Sequence, residues 1–114
     1  MVTLIGNLAT EVELREVAGG KKVASFVLAV DRASGDGGAD FLRIAAWDRQ
    51  GELCAEHLST GSRVAVDGRL RSRSWEQDGK RRSAVEVVAR RVEFLGRAER
   101  GGGDVIPFEP ASAA

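Results

Sequence analysis

Aromatic rings alternate with guanidinium groups in two stretches of this sequence. In Phe41-Leu42-Arg43-Ile44-Ala45-Ala46-Trp47, an extended backbone sends successive side chains to opposite faces, so Phe41, Arg43 and Trp47 share one face while Leu42 and Ile44 share the other. From Val64 to Trp75 the same parity turns Val64, Val66 and Leu70 inward and Arg69, Arg71, Arg73 and Trp75 outward. Rings and cations on an open sheet face suit stacked nucleobases and the phosphate chain that links them. Between Arg63 and Arg82, seven basic residues stand against three acidic ones, a local excess of four. Such a stripe is the footprint that phosphate binding requires. The expected stacking residues are therefore Phe41, Trp47 and Trp75. The expected phosphate contacts are Arg43, Arg69, Arg71, Arg73 and the turn residues Lys80, Arg81 and Arg82, with Lys21, Lys22, Arg32 and Arg49 as weaker candidates.

Blander roles stand beside these. Trp47 taken alone also fits core packing, and the arginines of the second stretch also fit a charged strand face that resists edge-to-edge aggregation. Lys80 to Arg82 also suit a soluble turn. His57, the single histidine, falls on a helical stripe as a partly buried residue, and Cys54 has no histidine or cysteine at metal-ligand spacing, so it reads as a small hydrophobe. Asp36, Asp40 and Asp48 are scattered, and no glycine-rich loop ends in Gly-Lys-Ser or Gly-Lys-Thr. The chain thus reads as a binding protein rather than an enzyme, with no cofactor and no metal.

The elements that hold these side chains are mostly strands. Val2 to Leu8 is β-prone, and Val23 to Val30 alternates with Phe26, Leu28 and Val30 on one face. Gly19-Gly20-Lys21 carries hairpin chemistry between them, and the glycine-rich loop from Ala33 to Ala39 leads into the strand at Phe41. From Arg49 to Thr60 the period changes to a helical one, placing Leu53, Cys54, His57 and Leu58 on one stripe, with Asp48 as N-cap and Gly61 as stop. The strand from Val64 to Trp75 turns through Gln77-Asp78-Gly79-Lys80 into a last strand from Ala84 to Leu95. Three strands, a helix and two more strands make the plan of the OB-fold, an all-β, five-stranded Greek-key barrel with one helix between strands 3 and 4.

A chain of 114 residues supports one core of this size. The expected domain covers residues 1 to 97, and residues 98 to 114, opening with Gly101-Gly102-Gly103, form a short flexible tail. Net charge is zero, 17 basic against 17 acidic residues, so distribution rather than total charge carries the argument. One cysteine fits a reducing compartment, no apolar run is long enough to span a bilayer, and the N-terminus lacks a signal-peptide pattern. A cytoplasmic location is expected.

Taken in order, several motifs resemble the bacterial single-stranded DNA-binding protein family of OB-fold type. They are Leu4-Ile5-Gly6-Asn7-Leu8 followed by Glu13-Leu14-Arg15, Val23 to Val30 with Asp31-Arg32, Asp40-Phe41 leading to Trp47, Gly61 through Leu70, and Trp75 before Gly79 with Glu86-Val87-Val88 after it. The resemblance implies that the chain coats single-stranded DNA, with little sequence preference, in replication, repair and recombination in the bacterial nucleoid. It also implies a homotetramer or a dimer, and places the family's stacking rings on Phe41, Trp47 and Trp75. The sequence departs from the family pattern at Glu11-Val12, His57 and Ser83. Asp104, Ile106, Pro107 and Phe108 resemble the tail tip through which replication and repair proteins are recruited, although Glu109 to Ala114 follow. Zero net charge, few aromatics and the displaced tip leave open a second reading, a protein-interaction or replication-restart member of the same fold with weak or no DNA binding.

Overall fold

The computed structural model describes residues 1–32 and 37–97. Its strands are β1 (Val2–Leu8), β2 (Glu13–Glu16), β3 (Lys22–Asp31), β4 (Ala39–Trp47), β5 (Ser62–Gln77) and β6 (Lys80–Arg97), with a 3-10 turn at Ala18–Gly20 and helix α1 (Asp48–His57) between β4 and β5. The strands are bonded in the order β1-β5-β6-β4-β3, and a further antiparallel pairing of Asn7 with Ala29 and Leu8 with Leu28 returns β3 to β1. Five strands therefore close on themselves as the OB-fold requires. Among the described residues the one parallel pairing is between β4 and β6, from Arg43 opposite Glu86 to Ala45 opposite Val88.

Alternation fills the barrel. Ala24, Phe26 and Leu28 on β3, Ile44 and Ala46 on β4, Val64 and Val66 on β5, and Val92 and Phe94 on β6 are all buried in one cluster. Helix α1 packs on this core through Cys54, with Leu58 just beyond its end. Gly51 permits the approach, since a Cβ there would collide with the Ala46 carbonyl oxygen. Where α1 meets β6, the register shift between Asp67 and Gly68 passes over Arg90, whose carbonyl accepts from Gln50 Nε2 at 3.1 Å while Val92 N donates to Gln50 Oε1 at 2.7 Å. One side-chain amide thus supplies the pairing that a strand would otherwise provide.

Several sequence expectations need correction. A sixth strand, β2, runs beside the first half of β3, pairing Glu13 with Ser25 through Glu16 with Lys22. Its four residues are all exposed, so no hydrophobic alternation announces it. The Gly19-Gly20 turn, with both φ values positive, therefore joins β2 rather than β1 to β3. Asp48 is not a side-chain cap but the first helical residue, at φ +55, and α1 ends at His57 rather than Thr60. Gly61 lies beyond the helix, where Ser62 N donates to the Ser59 carbonyl as the chain enters β5.

Leu70 is the clearest departure. It was assigned to the core and is 58% exposed. Every β5 residue from Arg69 to Gln77 is exposed, and past the last β4–β6 pair, Arg43 with Glu86, β5 and β6 run on from Ser72 and Val85 as a two-stranded arm. Parity still holds along the arm, but one of its two sides no longer faces a core. Residues 33–36 and the tail residues Asp104, Ile106, Pro107 and Phe108, expected to recruit partners, lie outside the described residues. Among those described, no helix is long and apolar enough to cross a membrane.

Candidate nucleic-acid interface

Strand β4 sets the axis of the site. Phe41, Arg43, Ala45 and Trp47 alternate along its outer face, with Phe41 66% exposed and Trp47 half-buried. The ladder with β3 places Ser25 opposite Ala45 and Val23 opposite Trp47, and β2 adds Arg15 opposite Val23. On the other flank, β6 brings Glu86 beside Arg43, and β5 brings Arg71 opposite Glu86. Arg15, Trp47, Arg71, Arg73 and Glu86 consequently surround a cavity of about 210 Å³ floored by Val23, Ser25 and Ala45. The small side chains of the floor leave room beside the Trp47 ring.

A second groove, of about 400 Å³, continues onto the arm between Arg43, Arg73, Trp75, Gln77 and Ala84. Arg73 borders both spaces, and its guanidinium carbon lies 5.1 Å from the centroid of the Trp75 ring. This cation–π contact orients the indole while its 38% exposure leaves surface for another ring. Phe41 lies on the same strand face as Trp47 but outside both spaces.

The arm ends in a two-residue turn at Asp78-Gly79, both at positive φ, which is the type I′ geometry suited to twisted hairpins. Its register sorts the basic residues. Trp75 stands opposite Arg82 and Gln77 opposite Lys80, so Lys80 and Arg82 share the face of Trp75, whereas Arg81 stands opposite Glu76 on the reverse face. Arg69, opposite Val88, belongs to the Trp75 side. The strand registers thus put the three expected stacking rings and, of the stronger phosphate candidates, all but Arg81 on one side.

Two charged residues that sequence reasoning passed over belong to this face. Arg15 was quoted only within a motif, because β2 was not foreseen. Glu86 is 4% exposed, and its carboxylate accepts a hydrogen bond from Arg71 Nη2 at 2.9 Å, with Arg73 Nη1 3.8 Å away. Equal steps back from the Asp78-Gly79 turn would have placed Glu86 opposite Arg71. Of the weaker basic candidates, Lys22 pairs with Glu52 at 3.1 Å, and that hydrogen bond and charge raise its pKa, while Arg32 pairs with Asp40 at 3.1 Å. Burial pushes the Cys54 thiol up to about 12.

Chemically, the face offers two indoles and a phenyl ring as stacking surfaces, with guanidinium and ammonium donors spaced between them. The profile of the "Single-strand binding protein family" matches residues 1–95. The "Single-stranded DNA-binding protein" of Bacillus cereus is 44% identical over 108 residues, covering 90% of this chain and 63% of the relative. "Single-stranded DNA-binding protein A" of Bacillus subtilis is 44% identical over 107 residues, covering 90% and 62%, and the Treponema pallidum "Single-stranded DNA-binding protein" is 40% identical over 100 residues, covering 83% and 57%. The chain therefore spans less than two thirds of the length of these curated relatives. With a profile match running through nearly the whole barrel, this chain belongs to the single-strand binding protein family.

Proposed function

We propose that this protein binds single-stranded DNA with little sequence preference and protects it during replication, repair and recombination. The observation that carries the reading is the shared face of Phe41, Trp47 and Trp75 with Arg43 and Arg73 between them. Bases stack on the three rings, and the phosphate chain follows Arg43, Arg69, Arg73, Lys80 and Arg82, with Arg15 at the far end of the Trp47 cavity. Stacking is indifferent to base identity because every base has a π-face, which fits weak sequence preference.

Exposed Leu70 and Val85 on the reverse side of the β5–β6 hairpin, together with Ile5 on β1, support self-association as a homotetramer, with a dimer as the other outcome of a mass measurement. Recruitment of replication and repair proteins through Asp104, Ile106, Pro107 and Phe108, and a cytoplasmic site of action at the nucleoid, complete the reading.

Tryptophan fluorescence tests it, because both indoles lie on the proposed face. Titration with oligo-dT quenches emission, duplex DNA does not, and the log-log salt slope of the affinity is about 0.7 per phosphate contact. Unchanged emission at micromolar oligo-dT would replace this reading with a protein-interaction role for the fold.

A further inference from the structure

A buried carboxylate under a phosphate-binding face calls for explanation. We infer that Glu86 is a positioning residue that cancels one guanidinium of the DNA-binding face and so sets the number of phosphates the protein neutralises. The inference rests on the proposed single-stranded DNA binding.

The geometry is specific. Glu86 is 4% exposed on β6, directly opposite Arg71 on β5 and beside Arg43 on β4. A buried carboxylate is costly unless it is paired and hydrogen-bonded. Arg71 meets that need with a charge-assisted bond at 2.9 Å, and Arg73, at 3.8 Å, adds a longer-range attraction without a hydrogen bond. The Oε2 atom of the carboxylate is thus bonded within the protein itself. Arg73 keeps its face toward Trp75. The three charges of Arg71, Arg73 and Glu86 therefore sum to one positive charge, not two. Counterion release counts the phosphates neutralised, and an arginine held by Glu86 neutralises none.

The salt slope of oligo-dT binding reads the effect directly, and a purely structural ion pair would leave it unmoved. Glu86→Gln keeps the shape and frees Arg71. Its slope is expected to steepen by about 0.7, so that between about 50 and 200 mM salt its affinity falls about 2.6-fold more than that of the unsubstituted protein. The double variant Glu86→Gln with Arg71→Gln returns the slope to its original value. A folded Glu86→Gln protein with an unchanged slope, or a double variant that stays steep, overturns the inference.

Should Glu86→Gln fail to fold, arginine side-chain NMR of the unsubstituted protein decides. The Nε–Hε resonances of Arg43 and Arg73 shift on adding oligo-dT while that of Arg71 stays. An Arg71 shift as large as that of Arg73 sinks the idea. Absence of any salt-sensitive binding by the unsubstituted protein would instead remove the DNA-binding reading, and this inference with it.

Discussion

The three rings proposed to stack on bases meet different surroundings. Trp47 is half-buried against small neighbours, Trp75 is braced by Arg73, and Phe41 stands most open to solvent. Alanine substitution of Trp47 or Trp75 is expected to cost about 1 to 3 kcal/mol of oligo-dT affinity, or roughly 5- to 150-fold in Kd. Equilibrium titration of each variant checks this, and a change smaller than twofold for both would exclude the stacking role. Cys54 makes a separate test at this scale. Its desolvated thiol, with a pKa pushed up to about 12, is a poor thiolate source. A thiol reagent at about pH 8 should leave the native protein unlabelled and label it fully in denaturant; rapid native labelling would show that the α1 contact opens. The parity of Phe41, Arg43 and Trp47 was legible in the sequence because alternation survives wherever a strand has a core on one side. Glu86 was not, because a lone acid among valines gives no local sign of the arginine it meets across the hairpin.

Elements owe their boundaries to tertiary contacts that local propensity does not record. The strands β1, β3, β4, β5 and β6 were readable from period-2 apolar patterns. The short β2 was not, since a four-residue exposed strand exists only because β3 offers it a free edge beyond the end of β1. Helix α1 likewise starts at Asp48 in a left-handed conformation, with no side-chain cap, where docking on the barrel overrides the usual capping preference. Gln50 ties α1 to β6 by bridging the register shift at Arg90, beside the ring contact of His57 with Phe94. Gln50→Leu keeps volume but removes both hydrogen bonds, leaving the Val92 N–H and the Arg90 carbonyl to find water. A loss of about 1 to 3 kcal/mol is expected, seen as a lower urea midpoint with an unchanged m-value. A midpoint equal to that of the unsubstituted protein would mean that solvent reaches the shift and replaces the amide.

At the scale of the whole molecule, the exposed apolar side chains are unevenly placed. Leu70 and Val85, 58% and 56% exposed, occupy the side of the β5–β6 hairpin opposite Trp75, while the Trp75 side is cationic and aromatic. Replacing both by lysine is expected to lower the mass measured by light scattering and to preserve the far-UV signature of the barrel. An oligomer unchanged in mass would move the subunit contact elsewhere, to the β1 edge that carries Ile5. The overall barrel was foreseeable from the element order, whereas the departure of the arm past Arg71 and Glu86 was not. Nothing in an alternating sequence states how far a strand continues past the last residue it can cover.

That departure has a mechanical meaning. Phe41 and Trp47 are mounted on β4, which has neighbours on both sides, but Trp75 rides on a two-stranded cantilever whose only lateral bonds are internal. On the proposed reading, a single strand lying across both would rest at one end on the closed sheet and at the other on a hairpin that has no third strand beside it past Glu86.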